Sequence, residues 1–193
     1  MPASSPDEVF HTAQQAMVRG DWEVFFRCLT RARLQAIATM VIPMVGDDPA
    51  GRFADLCRTH GVSDDRLDAV RDAGAAVVVS AQRARAADVP TEQMLAESQR
   101  HRELVTAHTR ATKVCVQAIA DLAAFVAASE RYRRETSGGG SISSHMFVDE
   151  TLTDVVITGT KASGVRNFPR GQSEGLAFAL ERGEWRIGGA TRR

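Results

Sequence analysis

The chain has 193 residues, and its 24 basic and 24 acidic side chains cancel. With no formal net charge, no long-range field draws the whole molecule to nucleic acid or an anionic membrane, so neither is expected as a partner. A chain of this length buries about 70% of its unfolded surface, enough for a core without covalent staples.

Residues 1–6 lack a charged segment leading into an apolar run, and no apolar stretch approaches the ~20 residues of a membrane helix. Residues 39–45 come nearest, but they are few and contain Pro43. A cytoplasmic protein is expected. Cys28, Cys57 and Cys115 sit within apolar helical patterns rather than at framework spacing, and read as reduced core thiols. Lys113 and Lys161 are the only lysines; that preference for arginine, with abundant alanine and valine, reports a GC-rich, bacterial genome.

In chain order, Ser5, Pro6 and Glu8 supply an N-cap, a proline for the first helical position and an acid to close a capping box. This helix should end near Gly20. Asp21 then caps a second, whose Trp22, Phe25, Phe26 and Leu29 share a face directed at a sheet, and Thr30 restarts a third that runs to the break around Pro43 and Gly46. Asp48-Pro49 repeats the cap-then-proline signature and opens a helix ending at Gly61. Ser63 with Asp64 and Asp65 starts the next, through Val77-Val78-Val79 toward Ala87.

Pro90 opens the longest helical pattern, which holds to about Glu135. As one helix it would span roughly 65 Å at about 1.5 Å per residue, so the spacing predicts a break near residues 106–112 or a protruding hairpin, a natural place for a partner to bind. Residues 137–145, with three consecutive glycines, read as a linker. Residues 146–190 form short alternating runs: Leu152, Val155 and Ile157; Val165 and Phe168; Leu176, Phe178 and Leu180; Trp185 and Ile187. Turns are expected at residues 159–162 and at Arg182-Gly183. The predicted fold is α+β: N-terminal helices packed on a C-terminal curved antiparallel sheet, in one domain with a helical insertion at residues 47–136.

Gly20-Asp21-Trp22 leading into Phe25, Phe26 and Leu29, together with the closing Phe178–Ile187 ribbon and its Trp185-x-Ile187 strand, resembles the nuclear transport factor 2-like (cystatin-like, SnoaL-like) superfamily. The resemblance implies helices closing a curved sheet around a cone-shaped pocket. Phe26, Tyr132 and Trp185 are then candidate wall residues. The long helical middle departs from the family pattern and would be an insertion.

No motif assembles catalytic chemistry. Cys57 and His60 fall on one helical side, but zinc needs two further ligands. His101, His108 and Cys115 repeat by heptads, which separates neighbours by about 10.5 Å, too far to share an ion; with Met94 and Leu122 they fit a coiled-coil-like seam. Gly138-Gly139-Gly140-Ser141 lacks the lysine of a phosphate loop. Ser143, Ser144, His145 and Asp149 carry the residue types of a hydrolytic triad without a Gly-x-Ser-x-Gly elbow. Residues 130–135 (ERYRRE) offer an anion or RNA contact, but their glutamates favour a solvated helix end. Asp149, Asp154 and Glu174 flank strands, and none is nominated as a general base.

The expectation is a non-enzymatic adaptor presenting a helical surface to a protein partner or a second copy, of the kind an immunity or accessory protein uses. No cofactor or metal is expected. The alternative is a small-molecule-binding protein or enzyme with an open cone.

Overall fold

Helix boundaries follow the capping chemistry. In the computed structural model, which describes residues 4–86, 91–136 and 147–191, α1 spans Pro6–Arg19, and Ser5 Oγ accepts from the Glu8 N–H at 3.2 Å. The Glu8 carboxylate closes its box one residue further out than expected, accepting from both the N–H and the hydroxyl of Ser4 at 2.6 Å. Gly20 ends the helix at φ +69°. Asp21 Oδ1 accepts from the Val24 N–H at 3.1 Å to start α2, Trp22–Arg27, and Thr30 Oγ1 accepts from the Arg33 N–H at the head of α3, Arg31–Val41.

A 3-10 segment, Ile42–Asp47, carries Pro43. The Asp48-Pro49 expectation shifts by one turn. Helix α4, Arg52–Thr59, starts after Gly51, and Asp48 reaches forward, its Oδ2 accepting from the N–H groups of Phe53 and Ala54. Helix α5 spans Asp64–Ala86, Val77-Val78-Val79 included, and α6 spans Thr91–Ala118. The break predicted at residues 106–112 falls instead after Ala118, where the chain bends into α7, Leu122–Thr136. Asp121 sets it: its Oδ1 accepts from the Ala124 N–H and its carbonyl from Phe125.

The antiparallel sheet follows as β1, Thr151–Thr158, β2, Lys161–Asn167, β3, Ser173–Glu181, and β4, Glu184–Thr191, in the order β1-β2-β3-β4. Arg182 and Gly183, both at positive φ, make the tight turn between β3 and β4. Opposite pairs Phe178 with Ile187 and Leu180 with Trp185 put the closing ribbon's apolar side chains on one face, as expected. On β2 the inward residues are Ala162, Gly164 and Arg166, paired with Phe178, Leu176 and Glu174; Val165 lies on the opposite face, contrary to the alternation read from Val165 and Phe168. One extra residue in β1 at Asp154–Val155 and one in β4 at Gly188–Gly189 make β-bulges.

The chain divides into two compact units, Met1–Ala36 with Val126–Arg193, and Ile37–Phe125. In the first, α1 packs against β4 and β1, and Val9, Phe10, Ala13, Phe25 and Phe26 are buried with Phe178, Trp185 and Ile187. The segment after α2 joins the sheet: the Ile187 N–H donates to the Cys28 carbonyl at 2.7 Å and the Thr30 N–H to the Ile187 carbonyl at 2.9 Å. In the second unit α5 and α6 pair along their lengths, with Phe53, Cys57, Leu67, Val70 and Cys115 in the core.

Candidate functional site

The hairpin of α5 and α6 has a readable register. His101 Nδ1 lies 3.3 Å from Ser80 Oγ, the Gly74 Cα faces the His108 ring, and the Cys115 thiol donates to the Arg66 carbonyl at 3.5 Å. These pairs advance together in opposite directions, as an antiparallel coiled-coil seam requires. The heptad of His101, His108 and Cys115 is therefore a packing seam. Met94, expected in it, is exposed instead, and Leu122 is buried at the start of α7 beyond the bend. Burial pushes the Cys57 thiol up to about 12 and raises Cys115 as well, so neither is a ready thiolate. His60 stacks edge-on against Phe125 with ring centroids 5.5 Å apart, and burial lowers its pKa.

Outside the seam the hairpin keeps large apolar side chains in solvent. Val78 and Val79 on α5 and Met94, Leu95 and Val105 on α6 are 40–66% exposed. A groove of ≈350 Å³ runs between the helices, lined by Ala75, Val79 and Leu104 with the charged Arg83, Glu97 and Arg100.

In the other unit a polar cluster sits within the core. Arg166 projects inward from β2, its Nε 3.1 Å from Glu150 Oε2 and its Nη2 3.3 Å from Glu174 Oε2, and its guanidinium lies over the rings of Phe147 and Phe168 at 5.0 and 4.5 Å. Arg33 from α3 donates to the Gly188 carbonyl at the β4 bulge; burial lowers its pKa, and the neighbouring Arg166 charge adds to this. Burial raises the Glu150 carboxyl, against the opposing pull of Arg166.

The turn before β1 holds Glu150 in place. Phe147 and Asp149 adopt φ of +69° and +57°, a conformation that costs a non-glycine residue about 1–3 kcal/mol and persists only when the surroundings impose it. They do so here. Gln14 Nε2 donates to the carbonyls of Phe147 at 2.9 Å and Glu150 at 2.6 Å, and Glu150 Oε1 accepts from the Phe147 N–H at 3.0 Å. Phe147 is thereby driven between Phe10 and Phe25, ring centroids 5.3 and 5.8 Å away, and is fully buried.

The three candidate wall residues all lie in the first unit. Phe26 is buried edge-on against Phe25 at 5.2 Å, Trp185 is buried opposite Leu180, and Tyr132 is half-buried on α7. Asp149 and Asp154 are exposed, Asp154 on the β1 bulge, while Glu174 faces inward beside Arg166. The 130–135 segment is not a solvated end: Glu130 is buried, pairing with Arg134 at 2.9 Å and Arg133 at 3.6 Å, and Arg134 lies 4.0 Å over the Trp22 ring. The glycine run, Ser143, Ser144 and His145 lie outside the described residues.

Sequence reasoning missed Glu150, Arg166 and Arg33. Arg166 carried one usable signal, since on a two-residue period it shares a strand face with Ala162 and Gly164. Comparison with protein families, with curated proteins and with solved structures finds no match for this chain.

Proposed function

We propose that this chain is a non-enzymatic protein-binding module that engages its partner through the α5–α6 hairpin. The supporting observation is the groove beside the seam, where the exposed Val79 lies with Leu104 between charged residues, on a hairpin whose own seam is already satisfied. The partner is a helical segment with an apolar face and acidic flanks, matched to Val79 and Leu104 and to the Arg83 and Arg100 guanidiniums. An accessory or immunity role, in which this module masks another protein, fits that mode of binding.

The kinship to the nuclear transport factor 2-like superfamily is part of the same proposal, supported by helices that close over the curved sheet. Against an open cone as the working feature stands the filling of the inner side of the sheet by Phe10, Phe25, Phe147 and Phe178, each at most 3% exposed.

The test is comparative affinity capture with the full chain and a Val79→Asp, Arg100→Glu variant, both positions lining the groove and exposed. Proteins retained by the native chain should be lost by the variant, with its thermal melt unchanged. Identical capture by both chains would remove the hairpin from the reading.

A further inference from the structure

The two edges of the sheet are treated differently. On the β4 side the backbone of Cys28–Thr30 covers the edge through Ile187. Among the described residues, β1 pairs on one side only, with β2. From the second bulge residue onward the strand reads Val155-Val156-Ile157-Thr158, every residue β-branched, with no charge and no proline. Such an edge lacks the lysines and prolines that normally block strand addition. Its side chains reach solvent on both faces of the sheet, Val156 being 61% and Ile157 55% exposed.

The faces are defined. Ile157 stands opposite Ala162 on the inner side of the sheet, where Val155 also points, its Cγ2 3.3 Å from the place a Gly164 Cβ would occupy. Val156 stands opposite Ser163 on the outer side.

We infer that β1 pairs antiparallel with β1 of a second copy of this chain, about a twofold axis through Val156. A twofold normal to the sheet keeps inner faces together and must pass through a residue position. With the axis at Val156, that residue meets its own copy, Val155 meets the second copy's Ile157 on the shared inner face, and Asp154 meets Thr158. Apolar side chains match at positions 155–157, Asp154 meets an uncharged threonine, and no like charges oppose. Moving the axis to Val155 sets Asp154 against Val156; moving it to Ile157 sets Val155 against Gly159. A chain without net charge adds no general repulsion to this self-pairing. The hairpin surface is a separate feature and is left free.

Sedimentation of the full chain tests this beside a Val156→Lys variant, whose substituted side chain is exposed and should leave the fold intact. The native chain should show a concentration-dependent monomer–dimer equilibrium and the variant a monomer with an unchanged thermal melt. A Val156→Cys variant should form a covalent dimer on mild oxidation, because opposed strand positions bring Cα atoms within disulfide range. Met40→Cys, at another exposed site, should link far less. A native monomer at all concentrations, a dimer that survives Val156→Lys, or equal linking at both cysteines would overturn the inference.

Discussion

Arg166 and Glu150 form an ion pair without an aligned hydrogen bond: Nε and Oε2 are 3.1 Å apart, yet neither atom has a hydrogen-bond partner among the described residues. Both side chains are buried, so the attraction works against the cost of removing each charge from water. The pair serves position more than stability, fixing Glu150 so that its other oxygen can cap the strained Phe147 turn.

Breaking this pair from one side is accordingly costlier than removing it whole. Arg166→Met strands a buried carboxylate and should lower stability by about 3–5 kcal/mol. The Glu150→Gln, Arg166→Met double variant should lose clearly less than the sum of its single changes, because glutamine keeps an acceptor for the Phe147 N–H. Urea unfolding of the four chains measures the coupling. Strict additivity would show that the two side chains act independently.

Glu150 also sets a pH dependence. Its folded pKa is raised above the ordinary 4.5 chiefly by burial, so between that value and the raised one the folded state holds more proton than the unfolded chain. Through this window its contribution makes stability fall as pH rises, the reverse of a carboxylate whose pKa is depressed. Groups facing it are Arg166, which opposes the shift, and Glu174, which adds to it. Comparing native and Glu150→Gln melting temperatures across the acid range should show this falling component only in the native chain. Parallel profiles would contradict it.

The hairpin register makes a prediction of opposite sign. A Cβ added at Gly74 would meet the His108 ring at 3.5 and 3.7 Å, ordinary contact distances. Gly74→Ala should therefore fit, and its better helix propensity should stabilise by up to about 1 kcal/mol, raising the melting temperature by roughly 2–4 °C for a chain of this size. Gly74→Leu should push on the ring and lower it. A loss of stability in Gly74→Ala would mean that the two helices lie closer than this register places them.

The architecture was legible where local chemistry decides it. Ser5, Asp21, Thr30 and Gly20 act at the helix ends their residue types announce, and the closing ribbon's alternation placed Phe178, Trp185 and Ile187 on one face. The α6–α7 break was misplaced because Asp121 is one cap residue in a pattern without glycine or proline, and the apolar period continues across it. The heptad of His101, His108 and Cys115 announced a seam, but local sequence does not specify which helix pairs with it. Glu150, Arg166 and Arg33 were hidden for a physical reason: charged residues read as solvent-facing, and their burial depends on partners distant in sequence. The exposed valines of α5 were likewise invisible, since a helical pattern does not reveal which apolar positions lack cover.

The central claim, that the hairpin is the docking surface, is met most directly by photo-crosslinking in the cells that make the protein. A photoreactive side chain replaces Val79, Arg100 or, as a control in the β2–β3 turn, the exposed Arg170. The account predicts one discrete adduct with the same partner protein from positions 79 and 100 and none from 170. Adducts equally abundant at all three positions, or absent from both hairpin positions, would contradict it.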